Sequence, residues 1–210
     1  MRDARSYYDS FSRVYDLFSP DIYYRRARKY AIEQLELQPH QTVLNVPCGT
    51  GQNLRYFQHY LANSGQVIGI DLSPGMLEKA QNKIDKHGWT NVDLYAENVD
   101  QLSPAWLRER VGDSVAVDAV LCDLGLSGFP HWQQVIEQLL AILKPGGRIV
   151  IMDWYLEERT VRGRFVEWIG GGEVNRPLYQ YLEHRVERFH VNKSFNRGGV
   201  FVAAGNKPDE

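Results

Sequence analysis

Cysteine is scarce in this chain: only Cys48 and Cys122 occur, with no Cys-x-x-Cys pair, so a disulfide framework is excluded. Histidines 40, 59, 87, 131, 184 and 190 are scattered, and no group of them has metal-ligand spacing, so no metal is expected. Long apolar runs are missing too. Stretches such as 67–70 and 139–143 fall far short of the roughly 18 residues that span a bilayer. Neither charge sign dominates, with 24 Lys and Arg against 26 Asp and Glu and a net charge of -2. A general polyanion binder is normally strongly basic, so nucleic acid is not the expected partner. The opening Met1-Arg2-Asp3-Ala4-Arg5-Ser6 lacks the apolar run of a leader, and the expectation is a soluble, cytoplasmic protein. There is no internal repeat and no low-complexity linker.

What is present is ordinary globular composition over 210 residues, 43% hydrophobic and 24% charged, enough for one domain. Strand and helix signals alternate. Residues 42–46, 66–71, 91–95, 115–122 and 148–153 read as strands, and 52–62, 74–86 and 130–143 as helices. Ser73-Pro74 and Ser103-Pro104 each pair an N-cap with a proline in the first turn. Lys144-Pro145-Gly146-Gly147 reads as a helix stop. The tail alternates differently: 184–192 and 200–204 flank the turn Asn196-Arg197-Gly198-Gly199 and read as an antiparallel hairpin at the sheet edge. The pattern predicts an α/β, doubly wound, seven-stranded and mostly parallel sheet with an antiparallel last strand.

The chemistry centres on Asn45-Val46-Pro47-Cys48-Gly49-Thr50-Gly51 and on Asp71, twenty residues after Gly51. Glycines after a first strand let backbone approach a ligand, and an acid ending the second strand can accept from ribose hydroxyls. The third glycine of a dinucleotide fingerprint is missing, because Gln52-Asn53-Leu54 follows. A phosphate cradle of the P-loop type is missing as well. A cofactor with ribose but no pyrophosphate fits better.

These segments, with Val67-Ile68-Gly69-Ile70-Asp71-Leu72-Ser73-Pro74 and Leu143-Lys144-Pro145-Gly146-Gly147-Arg148, resemble the motifs of class I S-adenosylmethionine-dependent methyltransferases, in order and spacing, over about half the chain. The opening Tyr8-Asp9-Ser10-Phe11-Ser12-Arg13-Val14-Tyr15-Asp16 resembles the start of ubiquinone/menaquinone-type methyltransferases and of small bacterial phospholipid N-methyltransferases. The resemblance implies S-adenosylmethionine as cofactor and a methyl transferred to a small-molecule or lipid-like acceptor, a phospholipid amine or a quinone. By position it implies that Asn45, Cys48, Gly49 and Gly51 line the methionine end. It puts Asp71 on the ribose, Leu72 and Met76 on the adenine, Glu97 and Asn98 at the adenine amino group, and Val99 on the other ring face. Asp123 would stand beside the transferred methyl. The first motif position is usually acidic in that family, and here it is Asn45, which loses the charge that could attract the cofactor's ammonium. Pro47 replaces an expected glycine and removes a backbone donor. Asn45 is the one motivation for the competing class, a non-catalytic binding or interaction module that retains the fold.

The acceptor is less legible. His131 is a candidate base, since imidazole titrates near neutrality; the competing reading is a solvent-facing residue in a first helical turn. Tyr7, Tyr8, Phe11, Val14, Tyr15 and Phe18 follow one helical face. Arg25-Arg26-Ala27-Arg28-Lys29 makes the neighbouring segment basic. Three readings stay open: a helix packed on the sheet, a lid, and a basic surface helix docking on anionic lipid. The lid is the expectation carried forward, with Tyr7 against the cofactor and Tyr15 beside Asp123 and His131 at the reacting atoms. The resulting division is a lid over 1–30, a cofactor core over 40–153, an acceptor-facing insertion over 154–183 and a hairpin over 184–205, all one methyltransferase domain. Oligomeric state is not readable.

Overall fold

The computed structural model describes residues 21–62, 64–156, 173 and 175–209. Tyr7 and Tyr15, with the rest of the proposed lid before residue 21, lie outside them, as does most of the insertion.

Seven strands form one sheet: β1 (Thr42–Asn45), β2 (Gln66–Asp71), β3 (Val92–Ala96), β4 (Val117–Asp123), β5 (Leu143–Trp154), β6 (Glu187–Phe195) and β7 (Val200–Asn206). Their spatial order is β3-β2-β1-β4-β5-β7-β6. The first five are parallel, and β7 runs antiparallel between β5 and β6. The chain reverses direction of travel between β1 and β4, and in open α/β sheets a ligand crevice forms beyond the carboxyl ends of such a pair.

Alternation sorts the strand side chains onto two faces. Leu44, Val120, Cys122, Ile149 and Ile151 join one buried cluster with helices α4 (Pro104–Arg110), α5 (Trp132–Ile142) and α6 (Leu178–Glu183). Val43, Ala119, Leu121, Val150 and Met152 join the other, with α1 (Asp21–Glu33), α2 (Leu54–Leu61) and Ile84 of α3 (Pro74–His87). Strands buried on both faces have no polar side to show, which is why β4 reads as nearly continuous hydrophobicity.

The local signals are realised as hydrogen bonds. Ser73 and Ser103 accept from the backbone N–H groups of Met76 and Trp106, at 3.3 and 3.1 Å. Gly88 closes α3 with φ 66°, in the left-handed region glycine tolerates. Two expectations shift. Strand β5 begins at Leu143 rather than 148, because a register jump between Val117/Leu143 and Ala119/Arg148 absorbs the Lys144–Gly147 stretch as an irregularity within the strand. The tail strand β6 runs three residues further than the alternation suggested, to Phe195.

Helix α1 packs on the sheet through Tyr24, Ala27, Ala31 and Ile32. Its C-terminal side is pinned by Arg148, whose Nε donates to the Gln34 carbonyl at 2.7 Å and whose Nη1 donates to Asn206 Oδ1 at 2.7 Å. No described helix is long and apolar enough to cross a membrane.

Candidate cofactor and acceptor cavity

A cavity of about 280 Å³ lies across the carboxyl ends of β3, β2, β1 and β4. At its centre the turn after β1 is held to both neighbours: Val46 N–H donates to the Leu121 carbonyl at 3.0 Å and Cys48 N–H to the Ile70 carbonyl at 2.8 Å. Gly49 has φ +53°, and a Cβ there would meet nothing within 4 Å, so it faces open space and is required for its backbone conformation. Gly51 differs. Its Cβ would lie 2.8 Å from Leu54 Cδ1 and 3.1 Å from Ala80 Cβ, so it permits α2 and α3 to approach and does not line the cavity.

Asp71 ties the two turns together. Its Oδ2 accepts from Gly49 N–H at 2.8 Å and its Oδ1 from Ser73 N–H at 2.9 Å. The carboxylate lines the cavity beside Leu72 and Met76. Opposite them stand Glu97, Asn98 and Val99. The side-chain acceptors of the first two shape the loop itself. Glu97 accepts from Asn98 N–H at 2.9 Å and from the Trp106 indole at 3.1 Å, and Asn98 Oδ1 accepts from Asp100 N–H at 3.1 Å. Asp100, absent from the sequence reading, lines the same wall and keeps a buried Oδ1 with no partner among the described residues.

The β1–β4 side is built by residues far apart in sequence. Asp123, 8% exposed at the end of β4, accepts at Oδ2 from Arg28 Nε at 3.1 Å and from Asn53 Nδ2 at 3.0 Å. Arg28 and Asn53 are themselves 4% and 3% exposed, and both line the cavity. Asn45 lies beneath this layer, fully buried and outside the lining; its Oδ1 accepts from Asn53 Nδ2 at 3.2 Å. Of the three readings left open for this segment, the basic surface helix therefore does not hold at Arg28. The missed signal is its spacing: Arg28 shares the i, i+3, i+4 face of Tyr24, Ala27, Ala31 and Ile32.

Beyond Asp123 the chain turns at Leu124, whose φ of 54° is strained for a residue with a Cβ. Leu124, Gly125, Gly128, Phe129 and Pro130 form the end wall. Gly125 abuts Pro47: a Cβ there would come 2.3 Å from Pro47 Cδ, so the proline that replaces the family glycine is seated on this wall. The wall is held from behind. Ser127 N–H donates to Asp153 Oδ2 at 2.9 Å, and Arg176 Nη1 donates to the carbonyls of Leu126, at 3.1 Å, and Phe129. Burial pushes the Asp153 carboxyl up to about 6, against the lowering effect of two backbone donors. His131 is exposed at the N-terminal end of α5 and is not part of the lining. Cys48 does line it, but burial, and then the charge of Asp71, pushes its thiol well above the usual range, so it is a neutral group and not a nucleophile. Among the described residues no group of three or more His, Cys, Asp or Glu is arranged to hold a metal.

A nucleoside with a charged amino-acid tail fits this surface. An acid and an apolar slot stand at β2 and β3. At β1 and β4, Asp123 Oδ1 and Asn53 Oδ1 are buried acceptors with no hydrogen-bond partner among the described residues, and Arg28 already balances the charge of Asp123.

The comparisons agree. A model of the methyltransferase domain family matches residues 37–185. The demethylmenaquinone methyltransferase of Shouchella clausii (strain KSM-K16) is 28% identical over 149 residues, 70% of this chain and 60% of that protein. The chain thus spans about 60% of the length of the first curated relatives it matches. Among solved structures, the geranyl diphosphate C-methyltransferase of Streptomyces coelicolor A3(2), a complex with S-adenosyl-L-homocysteine, superposes with TM-score 0.70 at 12% identity, covering 87% of this chain and 76% of that one. The [4+2]-cyclase SpnF superposes with TM-score 0.70 at 17% identity, covering 88% and 82%. Such likeness shows the fold alone, and the fold hosts more than one chemistry. The chain belongs to the methyltransferase domain family, with the class I, S-adenosylmethionine-dependent architecture.

Proposed function

We propose that the protein transfers a methyl group from S-adenosylmethionine to a small acceptor with an apolar, quinone-like or lipid-like body. The observation that carries the acceptor class is the end wall: beyond Asp123 it consists of Leu124, Gly125, Gly128, Phe129 and Pro130, with no charged side chain among them. Similarity to demethylmenaquinone methyltransferases supports the same class.

The cofactor supplies an electrophilic methyl on a sulfonium, so the protein's work is to orient and to exclude water. Asp71 would hold the ribose end, and Leu72, Met76 and Val99 would pack against the aromatic ring. The apolar wall removes water from the acceptor's path, which strengthens the remaining electrostatic contacts. Asp123 stands at the junction of the two ends, positioned to accept a hydrogen bond from the acceptor's reacting group or from the cofactor tail. The lid role expected of residues 1–30, with Tyr7 and Tyr15, and peripheral contact with lipid belong to this proposal too.

The test is a radiolabelled-methyl assay of the purified protein against three pools of cell extract: lipid, small-molecule and nucleic acid. Label should appear in the organic-soluble pools. Label confined to nucleic acid, or to strongly polar products, would overturn the acceptor class.

A further inference from the structure

One peptide group of the end wall is gripped at both ends. The Leu126 carbonyl accepts from Arg176 Nη1 at 3.1 Å, and the N–H of the same group, on Ser127, donates to Asp153 Oδ2 at 2.9 Å. In a trans peptide those two bonds point to opposite sides, so a cation stands at the oxygen end of the peptide dipole and a carboxyl oxygen at the nitrogen end. Hydrogen bonds to charged groups are the strong ones, and bonds in a chain polarise one another. The grip extends through the turn. Phe129 N–H donates to the Leu126 carbonyl at 3.2 Å, the Phe129 carbonyl accepts from the same Arg176 Nη1, and the Ser127 carbonyl accepts from Glu173 N–H at 2.8 Å. The Arg176 side chain is 13% exposed, and the acid it pairs with, Glu173 at 3.4 Å, is 61% exposed. Arg176 therefore acts on backbone carbonyls rather than in a buried ion pair. Asp153 and Arg176 also flank the stretch 154–175. The segment expected to face the acceptor thus converges, at its two ends, on one peptide of the acceptor wall.

Resting on the acceptor reading above, we propose that Arg176 is a positioning residue for the acceptor: with Asp153 it fixes the Leu126–Ser127 peptide, and through that turn the seat of Gly128 and Phe129 in the cavity wall. The wall presents no charged side chain, so it discriminates by shape. Shape is kept only while the turn is rigid. The fit around Phe129 is close: its Cζ would lie 3.0 Å from a Cβ on Gly125, the residue that abuts Pro47. A misfit of one methylene in an apolar pocket is worth roughly 10- to 200-fold in discrimination. A wall contact made equally in the ground and transition states acts on KM and not on kcat. The acid and ring slot for the nucleoside lie at β2 and β3, away from this turn, so cofactor affinity is a separate quantity.

The experiment compares Arg176→Met, which keeps an apolar stem and removes the charge, with Arg176→Lys, which keeps the charge without the planar fork. On the full chain, amide exchange followed by NMR should be about tenfold faster or more at Ser127 and Phe129 in Arg176→Met, and within about twofold of the parent at Cys48 and Ser73 of the nucleoside end. Arg176→Lys should fall between. Equal acceleration at all four amides would reduce Arg176 to general stabilisation, and unchanged exchange at Ser127 would show that it does not hold the peptide; either result overturns the proposal. Activity is read on two acceptor probes: a short-chain 1,4-naphthoquinol with a free ring position, and phosphatidylethanolamine vesicles. On the probe that the parent methylates, Arg176→Met should raise KM about tenfold, with kcat within about threefold and S-adenosylhomocysteine affinity within about twofold. Arg176→Lys should recover part of the KM. A fall in kcat at unchanged KM, or an equal loss of S-adenosylhomocysteine affinity, would also overturn it. A parent that methylates neither probe counts against the acceptor reading instead, and the exchange pattern then decides the clamp by itself.

Discussion

The two ends of the cavity are built by different means. At the nucleoside end the parts are local. Asp71 accepts from Gly49 and Ser73, residues of the adjoining turns, and the loop after β3 is folded around Glu97 and Asn98 by bonds within it and to Trp106. At the methionine and acceptor end the parts are distant. Arg28 reaches Asp123 across 95 residues, Asn53 reaches it across 70, and Arg176 holds Leu126 across 50. The first end is specified by backbone geometry and a single acid. The second is a buried, charged network whose members depend on one another, so the two ends should fail in different ways.

The largest effect is expected on stability, at the distant end. Arg28→Ala leaves the Asp123 carboxylate buried without its cation, which costs about 3–5 kcal/mol. Denaturant unfolding should show that loss, and Arg28→Lys should restore part of it. A loss below about 1 kcal/mol would mean that the pair is not a structural element. Next comes the local end. Asp71→Ala removes a charged acceptor and should weaken cofactor binding by about 2–4 kcal/mol. The loss should be equal for S-adenosylhomocysteine and for 5′-methylthioadenosine, which lacks the amino-acid tail, because the ribose is common to both. Unequal losses would erase the distinction between the ends.

That distinction also explains what was legible in the sequence. Capping serines, first-turn prolines and doubly buried strands act over a few residues, and their elements form where the patterns put them. Glycines 49 and 51 and Asp71 were legible for the same reason, although Gly51 serves packing between α2 and α3 instead of the cavity. Arg28 was not legible because four basic residues adjoin in sequence, and helical rotation sends only one of them inward among the apolar residues of α1. Asn53 registered only as the absence of a glycine. Its bridging role needs β1 and β4 side by side, which is a property of the sheet order rather than of any segment. The start of β5 was misread because Lys144-Pro145-Gly146-Gly147 is turn-like locally, while the tertiary pairing carries it as an irregularity in the strand.

A smaller effect concerns the wall behind the acceptor end. The Asp153 carboxyl is raised to about 6 in the folded protein, above its value in the unfolded chain. Its contribution to stability is therefore full below about pH 4 and is lost as pH rises through about 6. Asp153→Asn should remove that slope, so between pH 4 and 7 the variant should gain on the parent by about 2–3 kcal/mol. An unchanged pH profile would show that Asp153 is not held in its buried position against Ser127. The smallest effect is at the central turn. Gly49→Ala has room for the methyl but not the backbone, and should cost about 1–2 kcal/mol. Gly51→Ala should cost more, since its methyl also meets Leu54 and Ala80. The reverse order would contradict the assignment of these two glycines to ligand and packing roles.

The most direct test is of the cavity itself: the melting temperature of the full chain with increasing S-adenosylhomocysteine, in the parent and in Asp71→Ala. A ligand that binds only the native state raises the transition by mass action, equivalent to about 2.7 kcal/mol at a hundred times its dissociation constant. The parent should show a saturable rise, and Asp71→Ala should need a concentration at least thirtyfold higher for the same rise, the lower bound of its about 2–4 kcal/mol loss. No shift in the parent at millimolar ligand, or the same curve for both proteins, would contradict a nucleoside cofactor held across β1 to β4 by the acid at the end of β2.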